Sequence, residues 1–304
     1  MSGRYIIPLD LGDSVSDKSL SYLRRGVGEL EKGKRVAAYI GGAKKKIVVD
    51  TGPPDLERSL KYHPYSKSDP RKPEQEMEAQ LAKCGVNPED IDIVILTHLH
   101  WDHVGDVLKF PKAQFICSQE ELRFALDPPA CLYVAYEALQ LGMEPIFLKV
   151  IERIKTVEMK ETQIVEGVKT IPLPGHTPGS IGVVVETEKG PHVITGDAVS
   201  KYGNLKGDPK ERQPYLMTGI YTDMLAMWKS FERIDEIVEH DLSRVIAGHD
   251  PLVFQKERYP RSFSGTIPSP YALPPGARAL RGEGPAPRGV QGETLNLTWY
   301  RAEP

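Results

Sequence analysis

The segment "THLHWDHVGD", Thr97 to Asp106, places three histidines and an aspartate within six positions, directly after the apolar run "IDIVIL" from Ile91 to Leu96. A short apolar run of this kind reads as a buried strand, and packing a core does not call for imidazole at its end. His98 and His100 are two apart, so in an extended segment leaving the strand both side chains project to one side and can share a cation. Asp102 and His103 follow where the chain begins to turn, into a helix expected near Val104 to Phe110. They face another direction and can serve a second cation.

Each such ion needs about four to six ligands, so one loop does not complete the set. Three further polar residues stand at the ends of β-type runs, each beside a glycine: His176 in "LPGHTPGS", Asp197 in "ITGDAV" and His249 in "VIAGHD". Strand ends converging on one sheet edge offer rigid supports for a site. The expected arrangement has His98, His100 and His176 on one metal, Asp102, His103 and His249 on the other, and Asp197 bridging. The cofactors are two divalent ions, zinc first, with manganese, iron or cobalt acceptable to the same ligands. His63, His192 and His240 are read as satisfied core residues.

Around these residues, β-type runs recur at Tyr5 to Leu9, Val36 to Ile40, Lys46 to Val49, Ile91 to Leu96, Gln114 to Cys117, Val168 to Ile171, Ile181 to Glu186, His192 to Thr195 and Arg244 to Ala247. Helical patterns cover Pro73 to Cys84, Ser118 to Ala125 and Thr222 to His240, the last with Met224, Leu225, Trp228, Phe231, Ile234 and Val238 at helical spacing. The mixture points to the α/β class, two sheets with helices packed outside. A domain over residues 1–260 is expected. Residues 261–304, rich in Pro, Gly and Arg, read as a tail or an arm that wraps the domain or a homodimer partner.

A chain of 304 residues with 40% apolar content can fill a large core, and a net charge of −3 supplies no basic field for nucleic acid or an acidic membrane surface. A small or neutral substrate suits it better. Cys84, Cys117 and Cys131 form no C-x-x-C pair and are expected reduced and buried. The start "MSGRYIIPLDLG" lacks the pattern of a secretory signal, and the apolar stretch from Cys131 is interrupted by Glu137, Glu144 and Pro145, so a cytoplasmic protein without a membrane span is expected.

The sequence HxHxDH, then GHTPGS, GD and GHD, resembles the metallo-β-lactamase fold hydrolases, and among them the N-acyl-homoserine lactone lactonases. "VVDTG", "YIIPLDLG" and "GVNPEDIDIVILTHLHWDHVGD" extend the likeness over residues 4–260. The resemblance implies an αββα sandwich of two mixed sheets and a hydrolase that opens a lactone or ester of small size. A hydroxide bridging the two ions would attack the carbonyl, and Asp102 would pass a proton to the leaving group. Asp50, in "VVDTG", is expected to orient a ligand histidine or its loop. Asp197 stands where many β-lactamases of the fold place cysteine, which favours lactonase-like relatives.

The chain departs from the lactonases three residues after Asp197. They typically carry a tyrosine there, and this sequence has Ser200, leaving Tyr202, Lys201 or Tyr221 to supply the missing hydroxyl or amine. Leu132, Tyr133, Tyr136, Leu139, Met143 and Phe147 are candidates for an apolar pocket, and the long connection after Gly52 for its other wall. The alternatives are a hydrolase of another ester, amide or thioester, an iron-dependent oxidoreductase, and a metal-stabilised binding protein without catalysis.

Overall fold

Runs rich in Val and Ile form the centres of two sheets in a computed structural model of the chain, which describes residues 3–64 and 70–260. The first sheet has β1 (Tyr5–Asp17), β2 (Leu30–Gly41), β3 (Ile47–Val49), β4 (Ile93–Ile95), β5 (Gln114–Ser118) and β6 (Ile154–Val157), in that order. The second contains β7 (Thr162–Val165), β8 (Val168–Pro172), β9 (Ile181–Thr187), β10 (Gly190–Ile194) and β11 (Val245–Ile246), in the order β11-β10-β9-β8-β7. The helices are α1 (Lys18–Ser21), α2 (Leu56–Tyr62), α3 (Met77–Lys83), α4 (Trp101–Val104), α5 (Gln119–Leu126), α6 (Tyr202–Lys206) and α7 (Met224–Ile237). Both sheets are mixed, and together with the helices they make the αββα sandwich that the sequence led us to expect.

Strand direction positions the chemistry. β3, β4, β5 and β6 are mutually parallel, so the loops carrying Asp50, His98 to His103 and Ser118 leave from one edge. In the second sheet β8 and β10 each run antiparallel to β9, and β11 is parallel to β10. The ends leading to His176, Asp197 and His249 therefore also share an edge. The short β3 is buried along its whole length, as befits a strand covered on both faces.

Several boundaries differ from the sequence reading. β1 runs on to Asp17 through a bulge between Asp10 and Asp13, where Gly12 adopts φ 140°. β6 and β7 have the half-polar sequences IKTV and TQIV, which carry no clear strand signal. The helix after the histidine loop begins earlier than expected, at Trp101, and is followed by a separate 3-10 turn at Val107–Lys109. Pro73–Gln75 is likewise a 3-10 turn ahead of α3.

Helix α7 buries Phe231 and Ile234, with Val238 at its end, as the helical spacing predicts, and adds Met227, while Met224 and Leu225 in its first turn stay exposed. Of the cysteines, Cys117 is buried, Cys84 half-buried and Cys131 exposed. His192 is buried, with Nδ1 on the Gly190 carbonyl at 3.1 Å. His63 is buried and stacks on Trp101 at 3.9 Å. His240 is not core: its side chain is exposed and pairs with Asp235 at 2.9 Å. Among the described residues no helix is long and apolar enough to cross a membrane. The chain divides into Met1–Ser269 and Pro270–Pro304, and the tail or dimer arm expected over 261–304 lies outside the described residues.

Tyr259, which composition alone sets at the start of the tail, belongs to the core. It is 1% exposed, exchanges both backbone hydrogen bonds with Ile6 at 2.7 Å, and donates its hydroxyl to the Val253 carbonyl at 2.8 Å. Tyr259→Ala is expected to lower stability by about 3–5 kcal/mol, as large aromatic deletions from a core do. Tyr259→Phe, losing one hydrogen bond, should cost about 1 kcal/mol. Urea denaturation of the two variants checks both values.

Candidate metal centre

The histidine loop is held by a carboxylate behind it. Asp50 follows β3 in a left-handed conformation, φ 59°, which an aspartate tolerates better than most residues. Its Oδ1 accepts the Thr97 N–H at 2.7 Å, and its Oδ2 accepts the Thr97 hydroxyl at 2.8 Å and His103 Nδ1 at 2.9 Å. Asp50 thus orients both the loop and a histidine. Thr97, its hydroxyl proton directed to Asp50, accepts from His98 Nδ1 at 3.1 Å.

His176 and His249 are fixed in the same manner from other parts of the chain. His176 Nδ1 donates to the Ile220 carbonyl at 3.1 Å, and His249 Nδ1 to the Lys34 carbonyl at 2.7 Å. Gly175, ahead of His176, lies against α7: its carbonyl accepts the N–H groups of Thr222 and Asp223 at 2.7 and 3.0 Å. A Cβ at Gly175 would sit 2.4 Å from Met227 Cα, so only glycine permits this approach.

With Nδ1 engaged outward, the Nε2 atoms of His98, His103, His176 and His249 are left facing inward. Three of them lie close to other candidate ligand atoms. His176 Nε2 is 3.0 Å from His100 Nδ1, His103 Nε2 is 3.2 Å from Asp197 Oδ1, and His249 Nε2 is 3.0 Å from Asp197 Oδ1 and 3.9 Å from Asp102 Oδ2. Three groups have ligand atoms within 4.8 Å of one another: His98–His100–His176, His98–His103–Asp197, and Asp102–His103–His249. The structure brings all seven candidates together, with Asp197 between the two triads assigned from the sequence.

Whether cations suit this cluster is tested by its orphaned atoms. His98 Nε2, His100 Nε2, His103 Nε2 and Asp197 Oδ1 are buried with no hydrogen-bond partner among the described residues. Unpaired buried polar atoms are rare and costly, and nitrogen and carboxylate donors turned toward one another are what a divalent ion takes up. The donor set fits.

The sequence model of the Metallo-beta-lactamase superfamily matches residues 32–249, a span that contains all seven. The chain belongs to the metallo-beta-lactamase superfamily. It is 30% identical over 173 residues to an N-acyl homoserine lactonase of a Bacillus species, covering 56% of this chain and 60% of the relative. It is 28% identical over 213 residues to the N-acyl homoserine lactonase of Bacillus cereus, covering 67% of this chain and 76% of the relative. The chain thus spans less than two thirds of the length of the first of these. A crystal structure of a B. thuringiensis AiiA mutant with N-decanoyl-L-homoserine bound at its active site aligns at a TM-score of 0.65 and 22% identity, over 84% of this chain and 96% of that one. AidC, a dizinc quorum-quenching lactonase, aligns at 0.62 and 18% identity, over 83% and 89%. These two show a shared fold.

As in any member of the superfamily, divalent ions are the cofactors implied. Burial pushes His98 well below its ordinary range and His100 down to about 3, aided by neighbouring imidazoles, and burial lowers His176 as well. His103 goes the other way. Burial opposes its charge, but Asp197, Asp50 and Asp102 outweigh that and raise it well above the usual value. Asp102 is lowered to about 2: burial works against ionisation, and Arg35, whose Nη1 bonds its Oδ2, overcomes it, aided by His103 and His249.

The candidates for the missing donor separate. The Tyr202 hydroxyl is buried on the Val245 carbonyl at 2.8 Å, so it is withdrawn as a catalytic group. Lys201 is also buried and donates to the Lys32 carbonyl at 2.8 Å. Tyr221 lines a cavity of ≈ 620 Å³ with Phe124, Leu132, Pro174, Gly175 and Ala226, beside the His176 loop. Of the six residues proposed from sequence to line a pocket, Leu132 does so, Tyr136, Met143 and Phe147 are buried in the core, Leu139 is exposed and Tyr133 half-buried. The connection after Gly52 borders a second cavity, of ≈ 380 Å³, through Pro53, Leu56 and Arg71; its residues 65–69 lie outside the described residues.

Arg35 and Glu121 escaped the sequence reading. Arg35 closes the charged stretch EKGKR at the start of β2, where basic residues are ordinary, and Glu121 lies in a first helical turn where acidic residues are ordinary.

Asp197, Asp50 and Asp102 raise His103 well above its usual value, so an ion bound through its Nε2 competes with a proton there. Metal affinity is therefore expected to rise with pH through neutrality, levelling off above the raised pKa. Calorimetric titration in buffers of different ionisation enthalpy should detect about one proton released as the ion joins His103.

Proposed function

We propose that this chain is a dinuclear metal-dependent hydrolase that opens a lactone ring, with N-acyl-homoserine lactones the substrate class of first choice and zinc the metal. One observation carries the reading: four imidazoles are locked by outward Nδ1 bonds so that their Nε2 atoms surround Asp197 and the orphaned atoms beside it. His98, His100 and His176 would hold one ion, Asp102, His103 and His249 the other, and Asp197 both. When bound, the pair supplies a polarised carbonyl and a water acidified to near neutral pH. The lactonase names of the relatives support the substrate class.

The protein's own groups do the rest. Asp102, kept ionised by Arg35, receives the nucleophile's proton and passes it to the departing alkoxide oxygen. Because its pKa is low, it gives that proton up readily. Tyr221, 39% exposed at the cavity wall, donates its hydroxyl toward the substrate carbonyl in place of the residue replaced by Ser200. The ≈ 620 Å³ cavity is within the size range of small-molecule sites, and its apolar wall of Phe124, Leu132 and Pro174 suits an acyl chain. Ser200 also favours a second reading, an ester or ring reactive enough to need no such donor.

A pH-stat screen of lactones, esters and thioesters on zinc-, manganese-, iron- and cobalt-loaded protein tests the proposal. Lactone turnover is the expected result, and ester turnover without it would give the second reading. Asp197→Ala should be the most damaging of the seven ligand substitutions. Tyr221→Phe is expected to lower kcat by about tenfold or more with metal content intact, since one transition-state hydrogen bond is removed. Parental rates in that variant would leave the ions as the sole means of polarising the carbonyl.

A further inference from the structure

Glu121 is fully buried on α5, and its hydrogen-bond partners among the described residues are neutral donors. Its Oε1 accepts the Leu99 N–H at 3.0 Å and the Tyr136 hydroxyl at 2.9 Å, its Oε2 accepts the Thr177 hydroxyl at 2.5 Å, and the Gly179 N–H also bonds to it. Burying a carboxylate without a cation beside it is unfavourable, so its retention here calls for a reason. The four donors supply one. Leu99 lies between His98 and His100, Thr177 directly follows His176, Gly179 closes the His176 turn, and the Tyr136 ring packs edge-on to the His100 ring at 4.6 Å.

One carboxylate therefore touches the immediate neighbours of all three members of a single candidate ion group. The approach is built in: Ser118, the N-cap of α5, donates its hydroxyl to the Gly179 carbonyl at 2.6 Å, and a Cβ on Gly179 would lie 2.0 Å from the Glu121 backbone nitrogen. The other group hangs from different supports, with His103 on Asp50, His249 on the Lys34 carbonyl and Asp102 on Arg35. We propose that Glu121 is the positioning residue of the His98–His100–His176 ion, joining the loop after β4 to the loop after β8, and has no comparable hold on the second ion. This rests on the two-ion reading above.

Cobalt(II) titration of the metal-free protein, followed by calorimetry and visible absorption, tests it. Glu121→Gln keeps the shape but turns an NH₂ group toward N–H and O–H donors. Wild type is expected to show two binding events, and the variant one event weakened by about 10–100-fold, as for other residues that orient metal ligands, with the second at its parental affinity. Thr177→Val and Tyr136→Phe, each removing one of the four donors, should weaken the same event to a smaller extent, and they carry the test if Glu121→Gln does not fold. In a His176→Ala background the Glu121 change should have no further effect on the ion that remains.

Two events unchanged in all three variants, or both weakened alike, would overturn the proposal. If wild type takes up a single ion, the two-ion reading fails. Glu121 then keeps its role only if that ion is lost with His176→Ala and weakened by Glu121→Gln. A wild type that binds no cobalt refutes both.

Discussion

The centre of this protein depends on hydrogen bonds that point away from it. An imidazole donating through Nδ1 has one remaining lone pair, at Nε2, and its direction is set by whatever accepts behind the ring. Here the acceptors are the Thr97 hydroxyl, Asp50, the Ile220 carbonyl and the Lys34 carbonyl. They come from a β4 loop, a β3 loop, the segment before α7 and β2. Neither sheet alone can orient the four rings, so the site exists only when the sandwich is closed.

That dependence gives the cluster its charge. Asp50, Asp102 and Asp197 gather around Arg35 and His103 in a buried space, where acidic side chains outnumber basic ones. Such a field attracts cations and strengthens at short range because water is excluded. Burial meanwhile keeps His98, His100 and His176 neutral, so protons compete little for their lone pairs. Anionic groups would draw ions in, and the imidazoles would offer them lone pairs.

The clustering of the candidate ligands was legible in sequence because chemistry-bearing residues in glycine-rich turns after apolar strands have no packing explanation. The sheets were legible from the Val and Ile runs. What could not be read was set by distant partners. Glu121 looks like an exposed helix-start carboxylate until Leu99 and Thr177 fold onto it. Tyr202 looks available until its hydroxyl meets Val245. Tyr259 sits beside prolines and arginines whose composition hides its pairing with Ile6. β6 and β7 carry half-polar sequences because they lie at the ends of their sheets, where the apolar signal fades.

The shared direction of the strands gives the molecule a front and a back. The loops that carry the candidate ligands leave from one edge, while the exposed turns at Gly42 to Lys45 and at Glu188 and Lys189 connect antiparallel strands at the other. Those rear turns carry lysines and no candidate ligand. A support, a label or a fused partner attached there would leave the ion cluster and the cavity beside Tyr221 turned toward solution, so the fold comes with an orientation for immobilised use.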